Sequence, residues 1–119
     1  MQLPPDAFAR DCASRVVLDR IGDRWTVLVV VALADGRLRF TELKQRIEGV
    51  TPKVLTQTLR ALERDGILTR EVFAEVPPRV EYELTDLGRH LLGPIDAIRV
   101  WAEQHAARIV QNRDAYDER

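Results

Sequence analysis

Apolar side chains recur at helical spacing along much of the chain, and the pattern is clearest between residues 51 and 84. Three leucines there are spaced four and three residues apart and so share one helix face: Leu55, Leu59 and Leu62. Thr51 is a favourable N-cap and Pro52 suits the first helical position. Gly66 suits the position just beyond a helix end. The pattern predicts a helix over residues 52–65.

Shorter amphipathic segments precede this helix. Helices are predicted over 13–21, from an Asp23 cap to about Ala34, and from a Thr41 cap to about Ile47. Leu38–Phe40 suits a very short strand. The side chains expected to point inward are Val17, Leu18, Ile21, Trp25, Leu28, Val29, Ala32, Leu43 and Ile47. Residues 48–50 form a tight glycine-containing turn into helix 52–65, which is the arrangement of a helix-turn-helix unit.

The pattern changes after Gly66. Ile67–Phe73 and Arg79–Leu84 read as strands, the second with the two-residue alternation of a half-buried strand. Thr85 suits the cap of a further helix, Gly93-Pro94 is expected to break or kink it, and a last helix is expected to end at about Asn112. The predicted fold is mainly α with a small β-ribbon (α+β). It is a winged helix-turn-helix with extra N- and C-terminal dimerisation helices.

The length of 119 residues suits one domain, with flexible ends expected at 1–11 and 113–119. The longest apolar run, Val27–Ala34, is too short to cross a membrane, and the N-terminus lacks a signal-peptide pattern. The single cysteine excludes a disulfide within the chain. These features favour a cytoplasmic protein with no membrane partner.

Charge is distributed unevenly. The whole chain has a net charge of −1, but residues 37–70 hold eight basic and four acidic residues, which leaves −5 on the rest. Binding of DNA requires a local basic face rather than a basic protein. A solvated pair of helices is the alternative interpretation of this segment.

Four ordered motifs resemble the HxlR-type winged-helix transcriptional regulators, relatives of the MarR group. They are IGDRW, RFTEL, TPKVLTQTLRALERDGIL and VPPRVEYELTDLG, and the resemblance covers about residues 12–105. It implies a homodimeric, sequence-specific regulator of bacterial or archaeal type, by default a repressor, that binds double-stranded DNA. Ala13 stands where the family often has proline after the N-terminal cysteine.

The outward face of helix 52–65 carries the candidates for reading bases: Lys53, Thr56, Gln57 and Arg60. Recognition helices meet the major groove near their N-termini, where glutamine pairs with adenine and arginine or lysine pairs with guanine. Candidates for phosphate or wing contacts are Arg37, Arg39, Thr41, Lys44, Thr51, Arg64 and Arg79. For Arg79, the alternative is a cross-strand ion pair that also occupies the wing glutamates.

A heptad-like stripe follows the wing. Its members recur at spacings of four and three residues, with one aromatic residue beside them: Leu91, Ile95, Ile98, Ala102, His105, Ile109 and Trp101. A helix of a second subunit would cover such a stripe, and packing within the chain against the first helix is the alternative.

Cys12 is the only thiol, and the resemblance makes it a candidate redox sensor. Arg10 and Arg15 are nearby cations that would lower its pKa, whereas Asp11 opposes this. A buried, inert cysteine is the alternative.

No catalytic or cofactor motif is present, so we expect neither an enzyme, nor a metal site, nor a cofactor. His90 and His105 are read as structural. The rival function is a winged-helix protein–protein docking module that does not bind DNA, but such a module would expose apolar residues on helix 52–65. The identity of a small-molecule effector stays open.

Overall fold

The computed structural model describes residues 6–10 and 12–119, and these form helices with a three-stranded sheet. The helices are α1 (Ala13–Ile21), α2 (Arg24–Ala32), α3 (Phe40–Arg46), α4 (Pro52–Arg64) and α5 (Asp86–Asp117). The strands are β1 (Leu38–Arg39), β2 (Leu68–Phe73) and β3 (Arg79–Leu84). The predicted mainly helical fold with a small β-ribbon is confirmed.

The sheet is antiparallel, with β3 between β1 and β2. Leu68 lies opposite Leu84, and Phe73 opposite Arg79, so β2 and β3 form a hairpin that projects as the wing. Tyr82 and Leu84 are buried, as the alternation in β3 predicts. Leu38 pairs with Tyr82, which attaches the hairpin to the segment before α3.

Three of the predicted caps are confirmed. The side chains of Asp23, Thr51 and Thr85 accept hydrogen bonds from backbone N–H groups at the starts of α2, α4 and α5. The predicted Thr41 cap is wrong, because the cap position lies two residues earlier, at Arg39, and α3 begins at Phe40. Glu42 decides this start, since its Oε1 accepts the Arg39 N–H at 2.8 Å.

The core lies where α2, α3 and α4 meet the sheet and the first half of α5. Its buried apolar side chains are Val29, Val30, Leu33, Leu43, Ile47, Val50, Leu55, Leu59, Leu62, Leu68, Tyr82, Leu84 and Ile95. Trp25 and Phe40 pack against it while partly exposed. This cluster holds α3 and α4 in a fixed relation to the wing.

Helix α1 departs from the expectation. None of its residues is buried, and Val17 and Leu18 are each more than half exposed. Leu28 of α2 is exposed as well. The prediction that these three side chains point into the core is wrong for one chain, because α1 packs mainly against α2 and leaves its other apolar side uncovered.

Helix α5 is continuous for 32 residues, so of the break or kink predicted at Gly93-Pro94 the break does not occur, and the predicted end at about Asn112 is wrong. Gly93 and Pro94 lie on an exposed turn, where solvent reaches the carbonyl that proline leaves without an amide donor. The expected flexible end at 113–119 is helical through Asp117. Of the expected flexible lead, residues 1–5 and 11 lie outside the described residues.

Candidate nucleic-acid interface

Helix α4 is held with one face in the core and the other toward solvent. Thr51 Oγ1 accepts the Val54 N–H at 3.2 Å, and Pro52 opens the first turn. The buried face consists of Leu55, Thr58, Leu59 and Leu62. Gly66 adopts a φ of 77° directly after the cap residue Asp65, which ends the helix as predicted. The two ends and the buried face together fix which side chains look outward.

The outward face carries long polar side chains at successive turns. Lys53, Gln57, Arg60 and Arg64 are all exposed, and Thr56 is half-buried beside them. Among the residues that the structure describes, none of these side chains forms a hydrogen bond or an ion pair. Their donors and acceptors are therefore available to a ligand, and Lys, Gln and Arg suit base edges and phosphates.

Helix α3 adds polar groups next to this face. Arg39 and Thr41 are exposed near its start, and Lys44 is half-buried one turn later. Gly49, with a φ of 88°, forms the turn from α3 into α4. Two helices joined by a short glycine-containing turn are the connection of a helix-turn-helix unit.

Arg37 occupies a different environment from the other phosphate candidates. Its guanidinium lies 2.7 Å from carboxylate oxygens of both Glu71 and Glu83 and 3.5 Å from one of Glu81. Hydrogen bonds to Glu83 and Glu71 raise the pKa of Arg37 above its ordinary value. The structure thus places Arg37 among wing carboxylates, where it neutralises acidic charge.

Arg79 forms ion pairs, but not the cross-strand pair considered from the sequence, because Glu81 lies in its own strand and Glu75 lies in the turn after β2. It is 3.2 Å from Glu75 and 3.0 Å from Glu81, and its guanidinium carbon lies 4.1 Å from the ring centroid of Phe73. The ring and the two carboxylates hold the side chain against the hairpin. Arg70 of β2 is exposed and, within the described ranges, has no ion pair.

The predicted dimer stripe divides along α5. Ile95 is fully buried in the core of its own chain, and Leu91 packs partly against that core. Ile98 and Trp101 are 46% and 56% exposed, and Ala102 and Ile109 are also exposed. His105 is half-buried, with its ring centroid 4.7 Å from that of Trp101. The first part of the stripe is thus intrachain core, and the prediction that it lies in an interface is wrong for Ile95.

An apolar groove of about 1080 Å³ continues from this surface. It lies between α1, α2 and α5, and its apolar lining includes Leu18, Ile21, Val27, Leu28 and Ile98. Leu18 of α1 and Ile98 of α5 thus line the same groove. Regions of this kind on a small domain mark association sites.

Cys12 is the N-cap of α1. Its Sγ accepts the Ser14 N–H at 3.3 Å and the Asp6 N–H at 2.8 Å. Hydrogen bonds from Ser14 and from the Asp6 backbone lower the pKa of the Cys12 thiol, although the Asp6 charge opposes them. Arg15 instead donates to the carbonyls of Ala7 and Phe8. The cause predicted for the low pKa, a neighbouring arginine, is therefore wrong, and Asp11 lies outside the described residues.

Residues 6–10 and 12–119 hold neither a membrane-spanning helix nor a metal cluster. No helix there is long and apolar enough to cross a membrane. No group of three or more His, Cys, Asp or Glu residues in that part of the chain is placed to hold a metal ion.

Known proteins resemble this arrangement closely. Residues 20–110 match the HxlR-like helix-turn-helix family. The chain is 44% identical over 107 residues to the HTH-type transcriptional regulator YtfH of Escherichia coli (strain K12), covering 90% of this chain and 85% of that protein. The solved structure of the transcriptional regulator ytfH from Salmonella typhimurium matches with a TM-score of 0.86 and 41% identity, covering 93% of this chain and 99% of that one. The redox regulator HypR in its reduced form matches with a TM-score of 0.74 and 37% identity, covering 82% and 97%.

Proposed function

The chain belongs to the HxlR-like helix-turn-helix family and is a DNA-binding transcriptional regulator, and we propose that it binds a pseudo-palindromic operator as a homodimer through α4. The observation that carries this proposal is the outward face of α4. Its lysine, glutamine and arginines are exposed and, among the described residues, unpaired, while the opposite face is buried. A protein-docking surface would instead present apolar side chains there.

We assign base reading to Lys53, Gln57 and Arg60. Their exposed side chains lie on one face of α4, with Lys53 nearest the N-terminus, where such helices contact base edges. Gln57 suits an adenine, and Lys53 and Arg60 suit guanines. The half-buried Thr56 has less reach, which suits a thymine methyl group or a phosphate.

The remaining polar groups are assigned to the DNA backbone or to the wing itself. Phosphate contacts are proposed for Arg39, Thr41, Lys44, Thr51, Arg64 and Arg70. Arg37 and Arg79 act differently, because the wing carries acids that DNA would repel. Their ion pairs with Glu71, Glu75, Glu81 and Glu83 offset half of that charge and lower the repulsion between the wing and the duplex.

A second copy of the chain is the proposed cover for the apolar region on α1 and α5. Val16, Val17 and Leu18 on α1 and Ile98 and Trp101 on α5 are exposed in one chain. A two-fold dimer formed there would place two α4 helices in successive major grooves, about 34–36 Å apart. This geometry is the basis for proposing a pseudo-palindromic operator.

We propose that Cys12 makes the regulator redox-responsive. A lowered pKa increases the thiolate fraction, which is the reactive form. In the reaction, a two-electron oxidant takes two electrons and two protons from two thiols, whose sulfurs then join as a disulfide. The second thiol is that of another copy or of a small thiol. The similarity to a redox regulator supports this assignment.

The experiment that tests the proposal is selection of binding sites from a random DNA pool, followed by affinity measurements at several salt concentrations. We expect a two-fold related sequence and an affinity that falls steeply with salt, because phosphate contacts release counterions. Failure to enrich any sequence, together with an affinity that is flat in salt, would contradict DNA binding and favour a protein-docking role.

A further inference from the structure

The C-terminal end of α4 is held by contacts on the side away from its exposed polar face. Asp65, the cap residue, accepts the Nε–H of Arg20 at a distance of 2.6 Å. Arg20 lies in the last turn of α1. On the side of α5, the Thr85 hydroxyl donates to the carbonyl of Gly66 at 2.6 Å. The recognition helix is thus joined to α1 by one ion pair and to α5 by its connecting segment.

Aspartate is an unfavourable residue at this position. A helix C-terminus carries partial negative charge, so the carboxylate of Asp65 is repelled by the carbonyl groups of α4. Arg20 offsets the repulsion, and it also faces the C-terminal end of α1, which has the same sign. One guanidinium therefore lies between the negative ends of two helices. The stability of α4 alone does not explain an aspartate at its C-terminal cap, whereas the ion pair with Arg20 does.

Helix α1 has few other contacts that would fix its position. It contains no buried residue, and its main packing partner within the chain is α2. The side chains of Arg20 and Asp65 are only 32% and 25% exposed, which makes their ion pair one of the more protected contacts of α1. A displacement of α1 would therefore act directly on the end of α4.

We propose that the Arg20–Asp65 ion pair is a positioning contact that sets the placement of the recognition helix relative to α1. The inference rests on the proposed function, because α4 is taken to bind DNA. Cys12 caps the opposite end of α1, so the pair is also the route by which a change at that thiol reaches α4. Arg20 and Asp65 themselves contact no DNA in this proposal.

The test compares Arg20→Gln, Asp65→Asn and the double variant. Asp65→Asn preserves the shape of the cap residue and removes a charge that α4 repels, so this variant is expected to fold. Simple electrostatics predicts tighter DNA binding after the loss of an acid. We expect the reverse, a roughly two- to fivefold lower operator affinity, in proportion to what a partly exposed ion pair contributes. The double variant should bind as the single variants do, because both remove the same contact.

Two control variants separate the ion pair from general charge effects. Arg89 is exposed on α5 and Glu63 is exposed on α4, and neither forms an ion pair within the described part of the chain. Operator affinity should show no such non-additivity between Arg89→Gln and Glu63→Gln, so their losses or gains should simply multiply in the double variant of these two controls. Tighter binding by Asp65→Asn, or losses that multiply in the double variant of Arg20 and Asp65, would overturn the inference.

Hydrogen exchange provides a readout that does not depend on DNA. Amides in the last turn of α1 should exchange faster in Arg20→Gln and Asp65→Asn, by the same factor in both, and not in the two controls. Unchanged exchange in the single variants would overturn the inference even if DNA affinity changed. Absence of DNA binding by the natural protein would instead contradict the proposed function, and the exchange data would still decide whether the two helices are coupled.

Discussion

Gly88 lies where α5 crosses the start of β2, and replacement by alanine tests how closely the two segments are packed. A Cβ atom built on Gly88 would lie 2.1 Å from the carbonyl oxygen of Ile67, whereas real Cβ contacts below 3.0 Å are essentially never observed. The shortfall is about 0.9 Å, and the obstacle is backbone that cannot rotate away. The two segments must therefore separate.

The expected loss in the free energy of unfolding follows from that separation. Overpacking of a tight contact costs about 1–3 kcal/mol. The Ile67 carbonyl also accepts the Thr85 N–H at 3.0 Å, and loss of this bond adds about 1 kcal/mol. Alanine recovers about 1 kcal/mol of helix propensity. The last two contributions cancel, so we expect Gly88→Ala to lower the free energy of unfolding by roughly 1–3 kcal/mol.

Gly93 in the same helix is the matched control. Among the described residues, a Cβ atom there would meet no heavy atom within 4 Å, apart from its two chain neighbours and the adjacent backbone of its own helix. The gain in helix propensity is opposed by crowding against Pro94, so Gly93→Ala should change stability by less than about 1 kcal/mol. Urea unfolding of the two variants measures the difference. Equal effects of the two substitutions would refute the close approach of α5 to Ile67.

Three further predictions follow from particular groups. Thr26 Oγ1 is buried and has no hydrogen-bond partner among the described residues. Thr26→Val should therefore raise the free energy of unfolding, measured in urea, by about 1 kcal/mol. A lower free energy of unfolding would show that the hydroxyl forms a hydrogen bond in solution. Ile98→Asp should leave the fold intact and halve the mass measured by light scattering, because it places a charge in the proposed dimer interface. An unchanged mass would show that the interface does not include Ile98. Because the pKa of Cys12 is lowered, its thiolate fraction at neutral pH exceeds that of an ordinary thiol. Below pH 8, the Cys12 thiol should therefore react faster with an alkylating reagent than a model peptide thiol does. Diamide should weaken operator binding by the natural protein but not by Cys12→Ser. Equal diamide responses would remove Cys12 from the mechanism.

The parts of the fold with strong local signals could be predicted from the sequence. Helix α4 combines an N-cap, a proline, a leucine face and a terminal glycine, and each of these acts within a few residues. The alternation in β3 is equally local. Two helix boundaries were predicted wrongly. The early start of α3 depends on a local hydrogen bond from Arg39 to Glu42, which competes with the cap signal of Thr41, and the continuity of α5 depends on the exposure of Pro94 in the packed domain.

The candidate site shows the same division. Periodicity correctly placed Lys53, Gln57 and Arg60 on the exposed face of α4. It could not show that Arg37 lies among Glu71, Glu81 and Glu83, because that cluster forms only when β1 pairs with β3. Likewise, the stripe on α5 is regular in sequence, but the end of the core at Ile95 is a property of the packed domain. Local patterns therefore identified the exposed polar face of α4, and tertiary contacts determined which other charges form ion pairs.

The most direct test of base reading by α4 is the affinity of Lys53→Ala, Gln57→Ala and Arg60→Ala for the selected operator and for unrelated DNA. Each variant should lose roughly 1–3 kcal/mol on the operator and much less on unrelated DNA. Lys44→Ala, which removes a proposed phosphate contact, should weaken both equally. Melting temperatures should change little, because these α4 side chains are exposed. Equal losses on both DNAs for all three α4 variants would show that this face holds phosphates and does not read sequence.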